Sequence, residues 1–194
     1  MILEAVEYYT RKMMEQGLEL DLSDPSLKDT PARIARMYKE VFKGLWEEGP
    51  GITEFPNHIG YDGIVMSDML DFHSFCEHHF LPFSGYCWIL YIPNKLKVVG
   101  YSKFSRVLHY FAARPQLQER LVMQVADYIM KQSKPEGVMV YARAKHGCAQ
   151  CRGAKQGTQS GMTTSVVRGV FAEDNTLEHK GMEMIKISLG LEGV

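Results

Sequence analysis

Two short clusters of metal-ligating side chains, about seventy residues apart, constrain the fold of this chain more than any other feature. The clusters are Cys76-Glu77-His78-His79 and His146-Gly147-Cys148. Thiolate sulfur and neutral imidazole nitrogen are the ligands that zinc prefers in proteins. Together the clusters hold more groups than a three-ligand site needs, so the surplus histidines could transfer protons beside the metal. The sequence therefore predicts a fold that joins the two clusters into one catalytic zinc site.

The cysteine spacing also allows a second interpretation, a closed structural zinc site. A complete four-ligand set would be Cys76, His79, Cys148 and Cys151. Such a set leaves no position for water, and spacing alone rates it nearly equal to the catalytic interpretation. Two observations favour catalysis. His78 and His146 would have no role in a structural site, and a basic cluster lies between the two halves.

Charge and composition exclude several classes of protein. The 194-residue chain has a net charge of −1, which argues against a broad nucleic-acid-binding surface. No run of 18 apolar residues occurs, so the sequence predicts no membrane span. Charged residues interrupt the apolar pattern of residues 1–20, which argues against a signal peptide. We therefore expect a cytoplasmic protein whose four cysteines serve metal binding or burial rather than disulfides.

Changes in the period of the apolar residues indicate an α+β fold. Helical spacing predicts helices at residues 1–18, 30–45, 102–114 and 116–134. Alternating or β-branched runs predict strands at residues 62–75, 83–92, 98–99, 138–144, 162–171 and 184–189. Thr30 and Pro31 have the residue types of an N-cap and a first helical position. This order of elements is typical of an antiparallel sheet with helices on one face.

A basic cluster marks the start of the third predicted helix. Ser102 is its expected cap, and Lys103 and Arg106 share a helix face because they are three residues apart. The N–H groups and the positive dipole end of a helix N-terminus favour anions. For this segment alone a solvated polar face remains the more common explanation. Arg152, four residues after Cys148, strengthens a phosphate-binding role because it would lie near the metal.

Gln118 and Glu119 open the helix that follows Pro115. A carboxylate near a helix start can be a plain capping residue, and the sequence alone favours that role. The same carboxylate could accept two N–H bonds from a guanine-like edge. Both interpretations stay open at this point.

In combination, these motifs resemble the GTP cyclohydrolase I family. The resemblance runs from about residue 30 to residue 171 and depends on the order and spacing of the whole motif set. The motifs are Cys76-Glu77-His78-His79, Ser102-Lys103 with Arg106, Arg114-Pro115-Gln116, Gln118-Glu119-Arg120-Leu121, His146-x-Cys148 with Arg152-Gly153, and Thr163-Thr164-Ser165.

The resemblance implies the tunnelling fold (T-fold), a four-stranded antiparallel sheet with two helices packed on one face. We therefore expect an N-terminal helical region at residues 1–50, built as a helical hairpin, and a T-fold catalytic domain at residues 51–194. The resemblance also implies a homo-oligomer, typically a decamer, with active sites at subunit interfaces.

The implied reaction converts GTP to 7,8-dihydroneopterin triphosphate with release of formate, the first step of folate or pterin synthesis, with zinc as the cofactor. The matching zinc ligands are Cys76, His79 and Cys148, and the matching proton-handling histidines are His78 and His146. The matching substrate contacts are Glu119 and Gln118 for guanine, and Ser102, Lys103, Arg106, Arg152 and Arg33 for the triphosphate.

Some positions depart from the family pattern, so two rival functions remain open. Cys151 has no ligand role in the family, Cys87 is unassigned, and Gly181 is expected to interrupt any helix within residues 173–194. One rival is a structural-zinc protein of the same fold. The other is a purine-ring-opening relative that stops at a different product. Relatives that reduce a nitrile use a cysteine nucleophile without zinc, so the intact ligand set argues against them.

Overall fold

The computed structural model describes residues 1–190, so the last four residues of the expected 51–194 domain lie outside the described residues. The chain forms two compact units, Met1–Glu48 and Gly49–Val194. No helix within residues 1–190 is long and apolar enough to cross a membrane.

The N-terminal unit is built from two helices that pack against each other, α1 (Leu3–Lys12) and α2 (Thr30–Val41). Pro31 lies in the first turn of α2, where its missing N–H leaves no helical hydrogen bond unmade. Thr30, the expected N-cap, is itself the first helical residue. Trp46 follows these helices and is 40% exposed.

The second unit holds a mixed sheet covered by helices, as expected for an α+β fold. Its strands within the described residues are β1 (Glu54–Pro56), β2 (Val65–Cys76), β3 (Pro82–Ile92), β4 (Lys97–Val99), β5 (Pro115–Gln116), β6 (Gly137–His146) and β7 (Met162–Gly169). Its helices there are α3 (Ser102–Ala112), α4 (Gln118–Ser133), α5 (Gly147–Gln150), α6 (Val170–Glu173) and α7 (Asn175–Ser188). The main sheet has the order β5-β2-β3-β6-β7, and β1 pairs with β4 separately.

Within residues 1–190 the main sheet has five strands where the family resemblance implied four, and it is mixed rather than wholly antiparallel. Neighbours among β2, β3, β6 and β7 run antiparallel, whereas β5 runs parallel to the end of β2. Its two residues pair through Phe75 with Pro115 and Cys76 with Gln116. A strand of two residues between two helices is too short to produce a period-2 pattern, so sequence periodicity could not reveal it.

One face of the sheet packs against α3 and α4. Apolar residues at helical spacing on both helices meet alternate residues of the central strands in the larger of two cores. Fully buried members of this core include Phe72, Ile89, Phe104, Val107, Leu121, Val125 and Val140. The pair of helices therefore fixes the ends of β2 and β6, which carry the metal-ligating clusters.

The opposite face of the sheet is partly covered by α7, where the sequence predicted a short strand at residues 184–189. That prediction was wrong, and the expected interruption at Gly181 was wrong as well, because α7 is continuous through this residue. A Cβ atom on Gly181 would lie 2.9 Å from Sδ of Met139, so glycine lets the helix approach the sheet closely. The glycine here serves packing rather than helix termination.

Trp88 anchors the end of α7 to the sheet. Its indole is 1% exposed and packs in the second core with Leu90 and Met139. The indole N–H donates to Oδ1 of Asp68 and to Oγ of Ser188, each at 2.9 Å. Ser188 also donates to Asp68, so the last turn of α7 is tied to β2.

Candidate metal centre

Cys76, His79 and Cys148 form a compact group of metal-ligating side chains. One ligand atom from each lies within 4.8 Å of the others. Cys76 is buried, Cys148 is partly buried and His79 is exposed, so one side of the group is open to solvent. Two thiols and one imidazole are the donor set that suits zinc, and a three-ligand site with an open side suits a catalytic metal.

Local structure explains why Cys76 and His79 come together. Cys76 ends β2, and the chain then turns back, with the N–H of Phe80 donating to the carbonyl of Cys76 at 2.8 Å. This turn brings Nδ1 of His79 to 3.9 Å from Sγ of Cys76. The third ligand, Cys148, lies in the single turn of α5 directly after β6.

Strand β3 brings the two clusters together, although it contributes no ligand. Phe83 of β3 pairs with Ser74 on one side and with His146 on the other. The ends of β2 and β6 that carry the clusters therefore lie at the same end of the sheet, with only β3 between them. The predicted union of the two clusters follows from this register.

The two remaining cysteines lie outside the ligand group. Among residues 1–190, Cys151 is not part of the Cys76–His79–Cys148 group, and its side chain is exposed. The closed four-ligand set is therefore not formed. Cys87 is fully buried in the larger core, and burial raises the pKa of its thiol far above the usual range.

His146 is held on one side of the metal centre by stacking and hydrogen bonding. Its ring lies parallel to that of Phe83, with centroids 4.5 Å apart and an interplanar angle of 5°. Its Nε2 lies 2.8 Å from Oε1 of Gln118. Burial lowers the pKa of His146, while the negative charge of Glu119 acts in the opposite direction. The neutral imidazole is thus the favoured form of a half-buried histidine.

His78 lies within the turn that carries His79. Its Nδ1 is 3.6 Å from Sγ of Cys76. Both histidines that the sequence singled out therefore lie close to ligand residues, His78 by its contact with Cys76 and His146 by its position two residues before Cys148.

Gln118 and Glu119 occupy different environments although they are adjacent. Gln118 is 1% exposed, and its amide donates to the carbonyls of Ala142 at 3.2 Å and Met162 at 3.1 Å. The same amide lies 3.1 Å from Oγ1 of Thr164. Glu119 is exposed in the first turn of α4. Glu119 can therefore meet a ligand from solvent, whereas Gln118 is engaged within the fold.

Arg152 lies beside the ligand group, as its sequence position predicted. Its Nη1 is 2.7 Å from Nε2 of His79, and both side chains are exposed. Because a guanidinium can only donate, the imidazole nitrogen accepts this bond. The contact places a permanent positive charge at the open side of the centre.

The basic cluster of α3 lies far from the ligand group of the same chain. The end of α3 meets β2 near the metal centre, since Oγ of Ser74 donates to the carbonyl of Ala112 at 2.8 Å. From there the helix runs back along β2, since Nε2 of His109 lies 3.1 Å from the backbone carbonyl of Asp71. At a rise of 1.5 Å per residue, Ser102 lies about 15 Å along the helix from Ala112. Lys103 and Arg106 lie within the first two turns of α3.

Arg33, the remaining predicted phosphate contact, belongs to the N-terminal unit. It lies in α2 and forms an exposed ion pair with Asp29 at 3.7 Å.

Sequence reasoning missed the groups that support the clusters. Arg120 pairs with Glu77, the residue after Cys76, and its Nε donates to Oε1 of Gln116 at 3.0 Å. The N–H of Glu77 donates to the carbonyl of Gln116 at 3.1 Å. These bonds tie the turn after β2 to α4. The opposite charges of Glu77 and Arg120 are visible in the sequence, but nothing in their spacing indicates that they meet.

Comparison with known proteins identifies relatives over most of the chain. The sequence model of the family described as GTP cyclohydrolase I matches residues 6–186. A protein named GTP cyclohydrolase 1 from Carboxydothermus hydrogenoformans is 42% identical over 182 residues, which cover 94% of each chain. One of the same name from Lysinibacillus sphaericus is 40% identical over 177 residues, covering 91% of this chain and 93% of the relative.

A third relative with that name, from Pelotomaculum thermopropionicum, is 44% identical over 160 residues, covering 82% of this chain and 85% of the relative. Among solved structures, one titled "Crystal structure of the archaeosine synthase QueF-Like in the apo form" matches with a TM-score of 0.38 and 13% identity, over 63% of this chain and 97% of that chain. A match this loose supports no conclusion about fold or function.

Proposed function

The chain belongs to the GTP cyclohydrolase I family, and on that premise we propose that its Cys76–His79–Cys148 group binds zinc and acts on the guanine ring of GTP. The chain is an enzyme with the GTP cyclohydrolase function of its relatives. The observation that carries the site assignment is the compact group of two thiols and one imidazole with an open side. Zinc bound there would act as a Lewis acid and make water nucleophilic near neutral pH.

Different residues of the protein would bind guanine and transfer protons during the reaction at C8. We assign His146 to protonation of the purine ring nitrogen and His78 to the ribose side. Glu119 would accept N–H bonds from the guanine edge, since its carboxylate is exposed beside His146. Addition of water at C8 opens the imidazole ring to a formamide, and a second hydrolysis releases formate. Ribose opening, an Amadori-type rearrangement and ring closure then give 7,8-dihydroneopterin triphosphate.

The triphosphate site would combine residues from two copies of the chain. Arg152 lies at the metal centre of its own chain, but the cluster of Ser102, Lys103 and Arg106 lies at the far end of α3. In a single copy, therefore, the start of α3 lies about 15 Å along the helix from the end that meets β2 near the metal centre. A second copy that presents its α3 start to this centre would complete the site, which supports a homo-oligomer with shared sites, in line with the expected decamer.

The test of the function is to incubate zinc-loaded protein with GTP and to follow formate and the pterin ultraviolet band together. We expect both to appear. Formate without the pterin band would indicate a relative that stops early. Neither product, with zinc still bound, would reject the proposed function and favour a structural metal.

Replacing Arg106 with alanine should raise KM for GTP about tenfold or more, because a charge-assisted hydrogen bond to phosphate contributes on the order of 1.5–3 kcal/mol. The KM for guanosine, if it reacts, should be unchanged. Lys131→Ala removes another cation from a helix of the same unit and serves as the control. Equal effects on GTP and guanosine would contradict the phosphate role.

Mixing two defective variants tests whether sites are shared. Arg106→Ala and Cys148→Ser subunits, dissociated and reassembled together, should regain turnover at low GTP, because some interfaces would combine an intact α3 with an intact metal centre. If the mixture is no more active than the sum of its parts, each site is complete within one copy.

Replacing Cys151 with serine should leave one zinc per chain and turnover within about twofold, since an exposed side chain outside the ligand group is rarely coupled to it. Metal analysis by mass spectrometry and the formate assay check this. Loss of zinc in this variant would favour the interpretation of a closed four-ligand site that includes Cys151.

A further inference from the structure

The orientation of the Gln118 side-chain amide is fixed by its surroundings. Two of its close neighbours, the backbone carbonyls of Ala142 and Met162, can only accept hydrogen bonds. The amide nitrogen must therefore face them, and the amide oxygen must face His146. A flipped amide would place its oxygen against both carbonyls inside a site that is 1% exposed, which leaves buried acceptors unpaired.

This orientation determines which nitrogen of His146 carries the proton. Since Oε1 of Gln118 can only accept, Nε2 of His146 must donate across the 2.8 Å contact. The neutral ring then has a lone pair on Nδ1. The parallel stack on Phe83 fixes the ring plane, so two contacts together set both the tautomer and the direction of Nδ1.

We propose that Gln118 is a positioning residue that holds His146 as the Nε2–H tautomer, so that Nδ1 is the atom that exchanges a proton with the substrate. The part of this inference that concerns the substrate rests on the proposed function, whereas the locked tautomer does not. Gln118 acts through His146 and does not contact guanine, a task left to the exposed Glu119. The proton arrives on Nδ1 from solvent or a donor group and leaves from the same atom to the purine nitrogen.

The arrangement links His146 to three separate elements. Gln118 lies at the start of α4, Ala142 lies in β6 and Met162 lies in β7. The amide therefore joins the helix to two strands as it holds the ring. Such a support is rigid enough to hold a catalytic imidazole in one orientation, which is the role that supporting residues have around well-ordered sites.

The test uses Gln118→Met in the zinc-loaded protein, because methionine has a similar length and cannot hydrogen-bond in the same way. Asn57→Leu is the matched control, since Asn57 is also a buried, hydrogen-bonded amide, but its side chain bonds to the backbone of Tyr61 and Asn94 rather than to His146 or the metal centre. The measurements are kcat, KM for GTP, zinc content and the ring ¹⁵N chemical shifts of His146, assigned by comparison with His146→Ala.

We expect Gln118→Met to lower kcat by about 10- to 100-fold, the usual range for removing a supporting hydrogen bond, with KM within twofold and zinc retained. The control should lose comparable thermal stability without this selective loss of kcat. In wild-type protein the ring shifts should show the proton on Nε2 alone, and in Gln118→Met they should show a mixture of tautomers.

A proton on Nδ1 in the wild-type protein would overturn the inference, and this measurement holds even if Gln118→Met fails to fold. Unchanged ring shifts in a folded Gln118→Met protein, or equal kcat losses in both variants, would also overturn it. If wild-type protein does not turn over GTP, the proposed function fails, while the ring shifts still decide whether the tautomer is locked.

Discussion

Replacing Cys148 with serine should remove zinc and abolish formate release together. The hydroxyl of serine does not ionise near neutral pH, so the variant keeps only one thiolate and one imidazole for the metal. Burial and a hydrogen bond to the Cys76 thiol raise the pKa of Cys148, and a bound cation would offset this by favouring the thiolate. We expect no detectable metal after dialysis and no detectable turnover.

The control for this variant is Cys151→Ser, the same change three residues away at an exposed thiol outside the group. Metal content by mass spectrometry and formate by enzymatic assay should separate the two variants completely. Full zinc and full activity in Cys148→Ser would refute the ligand assignment, whereas loss of zinc from both variants would show that the two thiols act as a pair.

Replacing His146 with alanine should leave zinc bound but slow formate release by about 10²- to 10⁴-fold, the usual contribution of a positioned general acid or base. The ring stacks on Phe83 and contacts Gln118, and neither contact involves a metal-ligating atom. The metal should therefore remain while the proton transfer is lost.

His179→Ala provides the comparison, because His179 is an exposed histidine on α7. Its formate release should match that of the unmodified protein. Rates near normal in His146→Ala would remove this histidine from the mechanism. Loss of zinc would instead make His146 a metal ligand and would require a new assignment for the open side of the centre.

The composition of the metal centre was predictable from sequence because its residue types are uncommon and grouped. Cys76 and His79 share one turn at the end of β2, and β6 ends two residues before Cys148, so local patterns placed all three ligands at or just after strand ends. The choice between an open and a closed centre was not predictable. Cys151 has the correct spacing for a fourth ligand, and only the three-dimensional arrangement excludes it from the group.

The features that sequence missed depend on contacts between distant segments. Strand β5 has two residues and exists because it pairs with the end of β2. Helix α7 was predicted as a strand because apolar residues near its end suit both structures, and Gly181 was read as a break although it packs against Met139. The four partners of the Gln118 side chain come from β6 and β7, so no local pattern around Gln118 could indicate them.

The two tryptophans of the chain give each unit its own fluorescent reporter. Trp46 belongs to the N-terminal unit and is 40% exposed, whereas Trp88 is 1% exposed and bonded to Asp68 and Ser188. A buried indole emits at shorter wavelength than a solvated one, so the two signals differ in colour. In a Trp46→Phe protein the remaining emission would report on the environment of Trp88, between the sheet and the end of α7. A red shift of this emission would show that water has reached that side of the sheet.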